Sequence, residues 1–460
     1  MPKFYIHTFG CQMNYSDSER IEHYLGALGF TPTKTQENAD LILLNTCSIR
    51  QKSEDKVFGK FKQINKLKHK RPNLLVTLTG CMVRESSSRY SEKRDKLFSR
   101  LPELDIALRT NELNRFASLI RELDPCHKIP EIKEEELTDY FKISATHNTL
   151  KQKKQAFIAV SNGCDKFCTY CIVPYSRGRE KSRNLQDIIN EAKQLVQKGF
   201  KEITLIGQTV NSYGKSTHDK KTDQFKHFKD KDPFVELLTQ LNQLKSDGLE
   251  RIRFTSPHPS DMTDQLIQAY GNLETLMPYL HLPVQAGDDQ VLKRMNRPYT
   301  TNHYRKIIQK LRQVRPDISL TTDIIVGFCG ETEQEFQNTL DFYEEIGFEH
   351  AYIAMYSERQ GTTASRFIKD DIPLTTKKER FQRLNNLLRA NSTKTLKKYK
   401  GKTLKVLIEQ ETPTTWVGYS ENMKQVELPK KAKVTLGQIV PVKITETLTW
   451  GLKGEALSLG

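Results

Sequence analysis

The chain has few tryptophans, few cysteines and too few acids to balance its bases, and it has no long apolar run. Each shortage excludes something. No stretch approaches the ~18 consecutive apolar residues that a membrane-spanning helix needs. The first residues, MPKFYIHTFGCQMN, carry no signal-peptide pattern, so a cytoplasmic, reduced protein is expected. Eight cysteines in 460 residues are too sparse for a disulfide scaffold. Acidic residues number 56 against 72 basic ones, leaving a formal charge of +16. Such an excess favours a polyanionic partner, nucleic acid or an anionic membrane surface. With 37% hydrophobic and 28% charged residues the chain is polar but globular, and long enough for two or three domains.

The first ~120 residues alternate between strand and helix periods. KFYIHT (3–8), LILLN (41–45) and LLVTLT (74–79) read as strands. Ser16 with Glu19 has the spacing of a capping box opening a helix to about Leu28, and a basic amphipathic stretch covers 53–70. This β-α-β-α-β rhythm predicts a small parallel sheet covered by helices. One cysteine follows each strand: Cys11, Cys47 and Cys81. Ligands of open parallel sheets gather outside the carboxyl ends of the strands, so the three should converge there; separate buried core cysteines are the plain alternative.

Residues 121–149 read as a charged linker containing Cys126. A second α/β block spans 150–388. Its strands are expected at 156–160, 202–206, 251–255, 279–284, 319–326 and 350–355, with helices near 185–198, 234–246, 261–270, 301–314 and 333–346. Six strands with helical crossovers suit a partial (β/α)6 barrel, with active groups at the strand carboxyl ends. The polar piece 215–232 reads as a mobile surface insertion. A helix over 374–398 carries Phe381, Leu384, Leu387 and Leu388 on one face. Short strands after Gly401 predict a small all-β barrel, giving a C-terminal region of 389–460.

The densest chemical signal is Cys164-x3-Cys168-x2-Cys171, placed directly after the strand AFIAV. Three thiolates could hold an iron–sulfur cluster that keeps one iron open to substrate. A structural zinc site needs a fourth ligand, and the nearest in sequence are Cys126 and His147. Cluster, zinc and unliganded buried cysteines all remain open on spacing alone.

The neighbourhood NGCDKFCTYCIVPYSRGREKSR resembles the radical S-adenosylmethionine methylthiotransferases. FGCQMN (9–14) and NTCSIR (45–50) resemble the tRNA branch that acts on dimethylallyl- (isopentenyl-) adenosine. GQTVNSYG (207–214), TSPHP (255–259), LPVQAG (282–287), LKRMNRPYT (292–300), DIIVGF (323–328) and YSENMKQV (419–426) extend the likeness along nearly the whole chain.

The resemblance implies two 4Fe–4S clusters. Cys164, Cys168 and Cys171 would hold the one that binds S-adenosyl-L-methionine; Cys11, Cys47 and Cys81 would hold the second, in an N-terminal methylthiotransferase domain of residues 1–120. It implies methylthiolation at carbon 2 of the modified adenosine at tRNA position 37. An RNA-binding TRAM barrel, an external electron donor of flavodoxin or ferredoxin type and a monomer are also implied. Gly207, Gln208, Gln285 and Glu331, at strand ends, are candidate cofactor contacts. His258 and His281 read as structural, and Trp416 and Tyr419 as either core or RNA contacts.

One position departs from the family pattern. Cys329 stands where GFPGET has proline, which removes a fixed φ and adds a thiol that is either a tolerated filler or an oxidisable group. The charge excess is concentrated: between Lys377 and Lys405, eleven Lys and Arg face one acid, Glu379. That stretch reads as a basic strip beside the β-barrel, and no membrane association is expected.

Overall fold

A computed structural model describes residues 1–47, 51–123, 140–148 and 152–457. Cys126 and most of the expected 121–149 linker lie outside the described residues. The chain divides into two compact units. One comprises Met1–Thr149 with Asn162–Asp165 and Cys171–Arg179; the other comprises Leu150–Ser161, Lys166–Tyr170 and Glu180–Gly460.

The first unit is built on a six-stranded sheet ordered β2-β1-β3-β4-β6-β5. Its strands are β1 (Lys3–Thr8), β2 (Thr31–Pro32), β3 (Leu41–Thr46), β4 (Leu75–Gly80), β5 (Ser87–Ser88) and β6 (Ile106–Leu108). All pairings are parallel except β5 with β6. Helices α1 (Gln12–Ala27), α2 (Gln51–Lys70) and α3 (Phe116–Leu123) accompany the sheet, with the short α4 (Val173–Arg177). Strand β3 is buried along its whole length because it lies centrally and both sheet faces are covered. The alternating pleat sends Leu41 and Leu43 into one apolar cluster and Ile42 and Leu44 into another.

Helix α1 corrects the capping reading. It begins at Gln12 with Cys11 at the N-cap position, so Ser16 and Glu19 lie inside it and are buried. The turn is made earlier, by Gly10 at φ +111°. The side chain of Asn14 then donates to Phe9 O (2.8 Å) and Thr46 O (2.9 Å), tying the helix start to the ends of β1 and β3.

The second unit holds six parallel strands: β7 (Gln155–Ala159), β8 (Glu202–Ile206), β9 (Arg251–Phe254), β10 (Tyr279–His281), β11 (Ser319–Val326) and β12 (His350–Met355). They form two three-stranded sheets, bridged where Ile252 meets Leu276. Crossovers are made by α5 (Leu185–Gln197), α6 (Pro233–Asn242), α7 (Asp264–Asn272), α8 (Asp289–Arg294), α9 (Thr301–Val314) and α10 (Glu333–Ile346). Here a capping box does form, between Thr332 and Glu335 at the start of α10. This is the expected partial barrel.

The segment expected as a mobile insertion is packed instead. Phe225 is buried edge-on against Tyr213, and the Asp219 carboxylate accepts from Ser182 N (3.0 Å) and Ser182 Oγ (2.8 Å). Two phenylalanines and one buried acid anchor a stretch whose overall composition is polar.

Helix α11 (Leu374–Leu396) leads into a closed five-stranded barrel. Its strands are β13 (Thr403–Glu411), β14 (Thr415–Ser420), β15 (Gln425–Pro429), β16 (Ile439–Thr447) and β17 (Leu452–Ala456), ordered β13-β14-β15-β17-β16. Arg251 donates to Tyr419 O (3.0 Å) and Lys405 O (2.8 Å), and Gln155 donates to Glu409 (2.6 Å). These bonds set the small barrel against the amino-terminal ends of β7 and β9.

The basic strip is shorter than its sequence. Lys377 is buried and bonds Asp370 at 2.6 Å, Arg380 is buried against Glu331 at 2.9 Å, and Arg383 pairs with Glu333. What remains is the exposed Lys378, beside Glu379, and the exposed row Arg389, Lys394, Lys397, Lys398, Lys400, Lys402 and Lys405, with no acid between that row's ends. Among the described residues no helix is long and apolar enough to cross a membrane.

Leu384 is fully buried where α11 packs on the central core. Leu384→Ala is expected to cost about 2–5 kcal/mol. Urea unfolding followed by circular dichroism checks this, with a lower transition midpoint for the variant.

Candidate iron–sulfur and cofactor sites

The first unit brings Cys11, Cys47 and Cys81 to one edge. They follow β1, β3 and β4, which are adjacent and in register, so their carboxyl ends finish together. Two glycines let the loops interlock. A Cβ on Gly10 would lie 2.4 Å from Cys47 Cβ and 2.9 Å from its Sγ; one on Gly80, at φ +91°, would lie 2.2 Å from Thr46 O. Cys81 N–H donates to Thr46 O at 2.9 Å. Burial pushes the Cys11 thiol up, and the neighbouring Cys81 adds to this against the opposing effects of Arg177 and Asn14. Such thiols need a cationic centre to become thiolates.

Beside this edge lies a buried polar network that the sequence reading missed. Arg177, from α4, forms an ion pair with Asp17 of α1; both are buried. Arg177 also donates to Asn14 Oδ1 and Asn162 Oδ1, each at 3.2 Å, and the Tyr140 hydroxyl donates to Asp17 at 2.6 Å. Asn14 Oδ1 accepts in turn from Cys11 Sγ at 3.7 Å. Asp17, Cys81 and Tyr140 hold the guanidinium well above its usual range although burial opposes this. The signal was present in the PYSRGR part of the cysteine motif, which names the arginine but no partner.

Cys164 and Cys168 are buried and Cys171 half-buried. In the first unit Cys164 N–H donates to Gly178 O at 3.1 Å. In the second, Arg297 Nη1 donates to Cys168 Sγ at 3.3 Å. The following bonds hold the same loop. Asn296, at φ +56°, donates to Phe167 O (3.0 Å), Thr169 Oγ1 donates to Arg294 O (2.9 Å), and Thr169 N–H to Met295 O (3.1 Å). LKRMNRPYT is thus the strap of the cysteine loop. Among the described residues no three or more His, Cys, Asp or Glu side chains converge tightly enough to hold a single metal ion. The fit to clusters rests on soft thiol donors, three to a set, delivered by neighbouring strand ends or by one short loop.

The remaining candidates separate. Gly207 follows β8 so closely packed that a Cβ would lie 2.6 Å from Ser161 Oγ. Ser161 Oγ and Gln208 Oε1 are buried with no hydrogen-bond partner among the described residues, the condition of a site awaiting a polar ligand. Gln285 has φ +72° and is bridged to β11 through Asp323 O and Ile325 N, both at 2.9 Å. Glu331 is committed elsewhere. Its carboxylate accepts from Gly327 N (2.7 Å) and Arg380 (2.9 Å), while burial pushes its pKa up to about 7. Those contacts, both to Oε2, form a loop clasp.

Cys329 is fully buried in the barrel core, which fits a filler and not an accessible oxidisable thiol. Loop rigidity without proline comes from that clasp and from Asp371, which accepts from Gly330 N at 2.7 Å. His281 bonds Thr321 at 3.0 Å, a structural role. His258 bonds Ser260 at 2.7 Å through Nδ1, but its buried Nε2 has no partner among the described residues; burial, with Arg297 and Lys166, holds its pKa well below the usual range. Trp416 packs under Lys430, whose Nζ is 4.9 Å from the ring centre.

Comparison with known proteins agrees region by region. Residues 3–101 match the Uncharacterized protein family UPF0004, 158–343 the Radical SAM superfamily and 397–457 the TRAM domain. A tRNA-2-methylthio-N(6)-dimethylallyladenosine synthase of Oceanobacillus iheyensis is 41% identical, over 98% of this chain and 83% of its own. That of Bacillus subtilis is 40% identical over 98% and 85%. Among solved structures, the radical S-adenosylmethionine methyltransferase TsrM from Kitasatospora setae, with cobalamin and a [4Fe-4S] cluster bound, shares the fold. Its TM-score is 0.54 at 11% identity, over 79% of this chain and 77% of that one. Identity at this level runs through all three regions, not one borrowed module, and the chain therefore belongs to the family of tRNA-2-methylthio-N(6)-dimethylallyladenosine synthases.

Proposed function

We propose that this chain installs a methylthio group on carbon 2 of N(6)-dimethylallyladenosine at position 37 of tRNA, beside the anticodon. The observation that carries this is near-complete coverage of relatives of that name at about 40% identity. In this reading Cys164, Cys168 and Cys171 hold the 4Fe–4S cluster that binds S-adenosyl-L-methionine, and Cys11, Cys47 and Cys81 hold the second. When bound, these groups supply reductive cleavage of S-adenosylmethionine and sulfur for transfer, which no side chain can supply.

The protein's own part is placement. Arg297 and Asn296 fix the cysteine loop, and the Arg297 cation offsets thiolate charge at Cys168. Asn14, held by Arg177, orients the Cys11 edge. Gly207 permits close backbone approach, and in this reading Gln208 and Gln285 hold polar groups of S-adenosylmethionine, which the unpartnered Gln208 Oε1 supports. The exposed Arg389–Lys405 row and the TRAM barrel take the anticodon stem-loop, since unpaired loops expose bases and phosphates. A flavodoxin- or ferredoxin-type donor supplies electrons, and a monomer in the reducing cytoplasm suits the clusters.

Nucleoside mass spectrometry of tRNA from a deletion strain should show dimethylallyladenosine without its methylthio form; an unchanged product overturns the assignment. Cys168→Ala should abolish formation of 5′-deoxyadenosine from S-adenosylmethionine by the reconstituted, reduced protein, while Cys126→Ala leaves it near normal. Asp17→Ala, which strands the buried Arg177 charge, should destabilise the first unit by about 3–5 kcal/mol. Chemical denaturation reads that loss, and Asp17→Glu should recover part of it.

A further inference from the structure

One cavity has no part in the chemistry above. It encloses about 280 Å³ in the second unit, and its walls include His350 and Tyr352 of β12, Thr395 of α11, and Tyr419, Lys424 and Trp450 of the C-terminal barrel. His350 is the first residue of β12, so the cavity opens at the amino-terminal end of that strand. The cofactor candidates lie toward the opposite, carboxyl ends; Gln285, bridged to Ile324 level with Ile353, is three residues or about 10 Å along the sheet from His350.

The walls combine aromatic rings with polar groups, and the two charges among them, Glu349 and Lys424, pair with each other. His350 meets Trp450 edge-on at 5.7 Å and Tyr352 at 4.9 Å. Trp450 and Tyr352 are large rings left 46% and 45% exposed, although each could pack further into a small barrel or sheet. Burial, with Lys424 and His281 nearby, lowers the His350 pKa. Lys424 is taken by Glu349 and by Ser319 Oγ at 2.8 Å, and offers no spare charge to a phosphate. The rim differs. Thr395 sits in the last turn of α11 beside Lys394, and Lys397 and Lys398 follow in the next turn; all three lysines are exposed, within the row that contains no acid.

Flat rings inside, with exposed cations on the chain next to the lining residues Thr395 and Leu396, supply the two halves of a single-stranded nucleotide site. Bases stack on aromatic faces while the groove's charges track the backbone. We propose that this cavity takes one unpaired nucleobase of the bound tRNA, its phosphates lying on the Lys394–Lys405 row, as a second RNA contact separate from the adenosine that reacts. The inference rests on the reading of tRNA as partner.

The chain has two tryptophans, so Trp416→Phe leaves Trp450 as the sole indole emitter. In that background, an anticodon stem-loop hairpin should quench Trp450 emission saturably, whereas a blunt duplex without unpaired bases should not. By fluorescence anisotropy with labelled hairpin, Trp450→Ala should weaken binding about tenfold and Trp450→Phe by less than about threefold. The double variant Lys397→Ala/Lys398→Ala should lower the salt slope of binding by about two. Iron content and circular dichroism of the reconstituted protein should be unchanged in Trp450→Ala. Hairpin binding that leaves Trp450 emission and affinity untouched overturns the site alone. A parent protein that binds no hairpin overturns the tRNA reading and the site with it.

Discussion

Parallel strands that lie side by side in register all finish at one edge, and everything reactive in this chain depends on that constraint. In the first unit it carries three cysteines, 36 and 34 residues apart in sequence, to neighbouring strand ends. In the second it gathers the segments after β7 and β8, where Gly207, Ser161 and Gln208 meet. Glycine is required at two points for a steric reason. Gly10 and Gly80 leave the space that a neighbouring loop occupies, and a methyl group at either would push apart the strand ends that it joins.

Buried charge is the second theme. Arg177 with Asp17, Arg380 with Glu331 and Lys377 with Asp370 are largely removed from water. Pairs of this kind add little net stability, because desolvation cancels most of the attraction. What they contribute here is position. Each joins a loop to a regular element: Arg177 fixes the chain just after the cysteine motif, and Arg380 fixes the loop from Gly327 to Glu331. Arg297 adds a cation directly on a cysteine sulfur, where a bound cluster's thiolates would concentrate negative charge.

RNA recognition divides along the same line between paired and unpaired charge. In the first half of the basic stretch Lys377, Arg380 and Arg383 pair with acids, while Lys378 and the row from Arg389 onward stay exposed. Composition could count the charges but not assign them, since the partners Asp370, Glu331 and Glu333 lie on other elements.

Much of the architecture was legible from residue order. Strand and helix periods located all six barrel strands, and a cysteine after each of three N-terminal strands named the convergence. Both are local properties, set by alternation of two and 3.6 and by short loops. Local patterns also misled. Ser16 and Glu19 have capping spacing but lie inside a helix that Gly10 starts earlier, and a polar insertion folds onto two phenylalanines. The Arg177–Asp17 pair joins residues 160 apart, and Arg297 reaches a cysteine 129 residues before it. The sequence by itself determined the elements, the thiols and the family, because periodicity and motif need only neighbours along the chain. Only the tertiary structure decided which charges are spent, which loop straps the cysteines and where aromatic rings remain exposed, because those depend on contacts between distant segments.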